Sequence, residues 1–148
     1  MEIYIVSHCL LNPLTRVKGI RRPNPYNTEK KNIIQLPCPE IIYFGANRRE
    51  NTKGRMDSTG YRQFCRALFL PYADMIEMLA KDGHTITITG VPKSPSCGAL
   101  TVNVGGQTCE GNSCKCAPVE KVEEGLGIFF EEIEAELTQR HVSFKMTE

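Results

Sequence analysis

A chain of 148 residues, 41% hydrophobic and 24% charged, has the length and composition of one globular domain, residues 1–148. No apolar run reaches the roughly 18 residues that a membrane span requires, so no membrane partner is expected. The formal charge of +1 hides an uneven distribution: residues 1–55 carry ten Lys/Arg against four Glu and no Asp, whereas Val119–Leu137 carries seven Glu and one Lys. The basic first third reads as a solvated surface or as a seat for an anionic, nucleotide-like ligand. No nucleic-acid-binding motif accompanies the charge, so nucleic acid is not the expected partner.

The opening segment MEIYIVSHCLLN alternates as a strand over Glu2–Ser7 and lacks the basic n-region and cleavage site of a signal peptide, which predicts a cytoplasmic protein. A second strand is expected at Ile33–Leu36. Between the two, Pro13, Pro23 and Pro25 leave little room for a crossover helix. From Tyr61 to Ala80 apolar residues recur at Phe64, Leu68, Tyr72, Met75, Ile76 and Leu79, predicting an amphipathic helix with Ser58 or Thr59 as N-cap, Gly83 past its end and a break or kink at Pro71. Cys65 lies inside it and reads as packing. A third strand is expected at Thr85–Thr89. The spacing of Val119, Val122, Leu126, Phe129, Phe130, Ile133 and Leu137 predicts a second helix starting just after Pro118, despite Gly125 and Gly127. The tail His141–Met146 reads as an edge strand. This order predicts a small open α/β sandwich with a parallel central sheet flanked by helices.

Seven cysteines in a chain read as cytoplasmic argue for metal binding or thiol chemistry rather than disulfides, and the odd count would strand one in any case. Cys9, Cys38 and Cys97 each lie at or beyond the end of a predicted strand, in IYIVSHC, IIQLPC and TITITGVPKSPSC. Ligands of open α/β sheets bind outside the carboxyl ends of the strands. If the three strands are parallel neighbours, the three thiols meet at that edge. Pro37 and Pro39 flank Cys38, while Pro95 and Gly98 bracket Cys97, so stiff turns set the direction of two of the three.

The segments SHCLLNPLTRVKG, LPCPE and KSPSCG resemble, in order and separation, the three signature segments of the DUF523 family, which includes the thiouracil desulfidases. Ser7, Cys9, Leu10, Leu11, Arg16, Gly19, Cys38, Pro39, Glu40, Ser94, Pro95, Ser96, Cys97 and Gly98 occupy matching positions. The chain departs from the family pattern at Asn12, at Thr15 and over IIYFGANRRENTKG. The resemblance implies that Cys9, Cys38 and Cys97 ligate a 4Fe–4S cluster with one iron not bound by a protein thiolate, since full ligation takes four cysteines. The activity it implies is removal of sulfur from a thiolated pyrimidine or related small thiocarbonyl compound by non-redox hydrolysis with release of sulfide.

For that chemistry Glu40, two residues after Cys38, is the nearest carboxylate for a general base, or else an N-cap or loop brace. Ser94 and Ser96 would orient substrate or donate to the cluster, and Arg16 would face an anion. His8 adjoins Cys9 but should point the other way. Cys109, Cys114 and Cys116 follow no standard zinc or ferredoxin spacing and leave three readings open: a fourth ligand, a second metal, or a loop of oxidisable thiols. The competing functional class is a non-catalytic iron–sulfur or zinc protein. Oligomeric state is open at this level.

Overall fold

The computed structural model describes residues 1–19, 25–29, 31–105, 109–110, 113–114 and 120–148, with 109–110 and 113–114 described by their backbone alone. Strand β1 (Glu2–Val6) runs into a one-turn helix α1 (His8–Leu11) and a 3-10 turn at Pro13–Thr15. Strand β2 (Asn32–Gln35) is followed by two short helices, α2 (Pro39–Phe44) and α3 (Lys53–Met56), then by the long helix α4 (Thr59–Lys81). After β3 (Thr85–Thr89) come β4 (Thr101–Asn103), the small hairpin β5 (Cys109–Glu110) and β6 (Ser113–Cys114), then β7 (Val122–Glu124), helix α5 (Ile128–Gln139) and β8 (Phe144–Thr147).

The central sheet has the order β2-β1-β3-β8, and every pairing in it is parallel. Ile5 stands opposite Ile34 on one side and Ile88 on the other, which fixes the register of the three strands that precede the cysteines. The side-chain period of two then sorts the faces. Ile3, Ile5, Ile86 and Ile88 join the buried core with residues of α4 and α5, while Glu2 accepts hydrogen bonds from Tyr4 (2.7 Å) and Thr87 (2.9 Å) on alternate positions. Lys31 sits over the rings of Tyr4 and Tyr26, 5.0 and 4.3 Å from their centroids.

Helix α4 begins where expected: the Ser58 hydroxyl accepts the N–H of Tyr61, and Gly83 follows the end at φ +87°, a conformation that costs glycine little. It is unbroken across Pro71. Its innermost stripe is Tyr61, Cys65, Phe69, Ala73 and Ile76, one position beyond the expected Phe64–Leu68–Tyr72 row, which lies only partly buried along its margin. The small or amphipathic side chains at 61, 65 and 73 weigh little in a hydrophobicity pattern, yet they permit the close approach of α4 to its neighbours. Cys65 is in the core as expected.

The second helix corrects a larger expectation. Val122–Glu124 is not helical but pairs antiparallel with Thr101–Asn103, and α5 starts only at Ile128. The reason lies at its N-terminus. The backbone N–H groups of Gly127, Ile128 and Phe130 donate to the carbonyls of Gly98, Pro95 and Ser96 at 2.9, 2.9 and 3.2 Å, so the turn around Cys97 satisfies groups that would otherwise be orphaned. The C-terminal strand runs over Phe144–Thr147 rather than His141–Met146, starting three residues later and ending one later, on the edge beside β3.

Phe69, Phe129 and Phe130 meet edge to face under the sheet, with centroids 6.3 and 6.4 Å apart. Phe129 is fully buried. Phe129→Ala is expected to cost about 3–5 kcal/mol in urea unfolding, whereas Lys81→Ala, on the surface, should stay within about 0.5 kcal/mol of the parent.

Candidate metal and ligand pocket

Strand order places the site. The chain leaves β1, pairs β2 on one side of it and returns to pair β3 on the other, so the connections diverge at the carboxyl ends of these three strands. A cavity of about 400 Å³ opens there, and Cys9, Cys38 and Cys97 all line it. Arg16, Glu40, Arg48, Lys93 and Ser94 share the lining. Its size falls in the range of small-molecule sites.

Each thiol is held differently. Cys9 follows β1 in α1 and lies 3.9 Å from an Arg16 guanidinium nitrogen. Cys38 caps α2: its sulfur accepts the N–H of Ile41 at 3.5 Å. Cys97 sits in the turn after β3, where its own N–H donates to the Ser94 hydroxyl at 3.0 Å and its carbonyl accepts from Val91 at 2.8 Å. Burial pushes all three thiols above their ordinary range. Arg16 pulls Cys9 partly back, and the Ile41 N–H and Arg48 do the same for Cys38. Cys97 is raised furthest, by complete burial and then by the neighbouring Cys38 and Cys9. Among the residues whose side chains are described, these three and Cys65 are free thiols. Among the described residues no group of three His, Cys, Asp or Glu side chains is placed so that it could hold a metal ion.

Glu40 occupies the first turn of α2, but the cap belongs to Cys38, so its carboxylate is free to face the cavity. Burial raises its pKa above the ordinary carboxylate value, with Arg48, Arg16 and a hydrogen bond from Ser96 acting in the opposite direction. Arg48, which sequence reasoning missed because it lies in the segment that departs from the family pattern, stands 3.9 Å from Glu40 and donates to the Thr15 carbonyl at 3.4 Å. Its side chain is only 8% exposed, and its buried Nε has no hydrogen-bond partner among the described residues. A guanidinium in the cavity wall can donate hydrogen bonds to an anionic ligand atom.

The two serines separate. Ser94 lines the cavity, and because its oxygen accepts from Cys97 its O–H remains available to a ligand. Ser96, expected beside the substrate, is fully buried and absent from the lining; its hydroxyl lies 2.8 Å from that of Tyr61. The proline before it and the cysteine after it face the cavity, which turns Ser96 inward. His8 is likewise outside the lining, its ring bonded to Gln35. Lys93 lies at the rim with φ +64°, an uncommon conformation for a residue other than glycine. Cys116 lies outside the described residues, as do the side chains of Cys109 and Cys114, whose backbones pair across the β5–β6 hairpin.

The fold and pocket define a small α/β domain whose parallel sheet brings three thiols to one cavity at its switch point, where Glu40, Glu50, Glu120, Arg16 and Arg48 also line the wall. The chain belongs to the same family as the uncharacterized protein MJ0003 of Methanocaldococcus jannaschii, with 37% identity over 104 residues that span 65% of this chain and 67% of that relative. No family model matches the chain, and no solved structure matches it. No helix among the described residues is long and apolar enough to cross a membrane.

The Cys97 turn is seated on Gly127, where an added Cβ would overlap the Ser96 carbonyl and lie 2.7 Å from the Cys97 nitrogen. Backbone cannot yield as a side-chain tip can. Gly127→Ala is expected to destabilise the chain by about 1–3 kcal/mol and to raise the rate at which Cys97 is alkylated by a thiol reagent, read by peptide mapping.

Proposed function

We propose that the chain is an iron–sulfur-dependent desulfidase, in which Cys9, Cys38 and Cys97 hold a 4Fe–4S cluster and a small thiolated pyrimidine or related thiocarbonyl compound is hydrolysed beside it. The observation that carries the reading is the arrival of three thiols from three separate strand ends at one cavity that also receives Glu40. The resemblance of their flanking segments to the DUF523 signatures supports it. The chemistry of the donor set fits such a group: three sulfur ligands without histidine on one cavity. A cluster assigns each thiolate to a different iron, so the ligands need not crowd around one ion. When bound, it supplies a soft Lewis-acidic iron lacking a protein thiolate, the type of partner a thiocarbonyl sulfur prefers.

The protein groups have separable tasks. Glu40 takes a proton from the attacking water; the Ser94 hydroxyl orients the ring; Arg16 and Arg48 balance negative charge at the cavity wall. Water replaces sulfur at the thiocarbonyl carbon, the sulfur leaves as sulfide, and no net electron transfer occurs.

Anaerobic reconstitution followed by iron and acid-labile sulfide analysis, with sulfide release from thiouracil as the assay, tests the proposal. Cys9→Ala, Cys38→Ala and Cys97→Ala should each lose iron. Glu40→Gln should retain iron and sulfide while losing a factor of about 10² to 10⁴ in turnover. Zinc without acid-labile sulfide would return the chain to the non-catalytic metal proteins, and full activity in Glu40→Gln would remove that residue as the base.

A further inference from the structure

The rim of the cavity is fastened from the outside by a carboxylate. Beyond the Cys97 turn the chain bends through Ala99 and Leu100 into β4 at Thr101. The backbone N–H groups of these three consecutive residues all donate to one oxygen of Glu148, Oε1, at 3.1, 2.8 and 2.7 Å. The Thr101 hydroxyl joins them, 3.2 and 3.1 Å from the two carboxylate oxygens. Glu148 directly follows β8, where the Thr147 carbonyl accepts the Gly90 N–H at 2.9 Å and the Thr147 hydroxyl lies 3.1 Å from that of Thr89. Strand pairing therefore brings the carboxylate to its place.

Successive N–H groups of an extended strand point to opposite sides, so three that converge on one atom require a bend. Such a concavity of backbone donors selects an anion. Its effect reaches the cavity through Thr101, whose hydroxyl oxygen also accepts the N–H of Lys93 at 3.0 Å. The Lys93 carbonyl in turn accepts the N–H of Asn103 at 3.1 Å. Lys93 is the rim residue at φ +64°, a conformation that a residue with a side chain keeps only where its surroundings impose it. Both bonds that hold it come from β4, and Glu148 holds the start of β4.

We infer that the backbone of Ala99–Thr101 is a carboxylate-binding site, filled by Glu148, and that this contact latches the cavity rim by fixing the Thr101 hydroxyl against the Lys93 N–H. The ligand class follows from the donors: three N–H groups and one O–H meet two oxygens of a single planar group, and a free carboxylate can take the place of the side chain. The latch involves none of the cavity cysteines, so it stands or falls separately from any metal they hold.

Limited trypsin digestion of the full chain reads the rim directly, because the bond after Lys93 is a tryptic site and cleavage follows the population of the opened segment. Glu148 is exposed, so Glu148→Ala leaves the core intact. That variant should be cut after Lys93 about tenfold faster than wild type. Sodium acetate, titrated toward the effective concentration of a tethered group, should bring the rate back, whereas sodium chloride at equal ionic strength should not. Thr101→Val, which keeps the three N–H groups and removes the hydroxyl, should be cut faster with no rescue by acetate. In amide NMR the Ala99, Leu100 and Thr101 signals should move in Glu148→Ala and return with acetate, a readout that needs no protease. A wild-type cleavage rate in Glu148→Ala, or amide signals that acetate leaves unmoved, overturns the inference.

Discussion

The position of β1 between β2 and β3 is the constraint on which the rest of the molecule depends. With β1 in the middle, the segments that leave the three strands must part in different directions, and the gap they leave becomes the cavity. Parallel pairing aligns the three carboxyl ends, and the isoleucine register holds them level. Antiparallel pairing of any one of these strands would carry its cysteine to the far edge. The chemistry at the pocket is therefore a consequence of sheet topology before it is a consequence of any single side chain.

A second dependence joins the pocket to α5. The turn that carries Cys97 lends its carbonyls to the start of that helix, and Gly127 comes so close that no side chain fits between them. A helix end and a ligand loop thus satisfy each other. The carboxylates of α5 add to this frame, since Glu131 and Glu132 pair with Arg62 and Arg66 of α4. Glu132 is buried, so its pairs are more than surface decoration, although exposed partners such as Arg66 contribute little individually.

Much of this was legible in the residues. The three strands that precede the cysteines form within a residue of their expected limits, because Ile, Val and Thr runs bounded by Pro, Gly and Asn leave few alternatives. The strand ends with their cysteines could be read in the same way, given the assumption of parallel neighbours. The start of α5 was not legible, because Val122 and Leu126 fit a helical period as well as they fit a strand, and only tertiary partners for the backbone decide between them. Arg48 escaped notice for a similar reason: it lies in an irregular segment, where no periodicity says which of several basic residues turns inward. Ser96 was read by its neighbours in sequence, although alternate residues of a tight turn face opposite ways. The polar value of Tyr61 is hidden in any scale that scores the residue by its ring.

Because β1, β2 and β3 lie far apart along the chain, at residues 2–6, 32–35 and 85–89, the pocket has no local precursor. Its walls exist only after non-local strand pairing, the slow class of folding event, is complete. A nascent or partly folded molecule therefore presents Cys9 and Cys38 as solitary thiols, without the arginines that later stand beside them. Such intermediates are the stage at which oxidation or stray ions would do lasting harm. Until the sheet closes, the thiols that later line the pocket stand exposed to the same reagents as any surface cysteine.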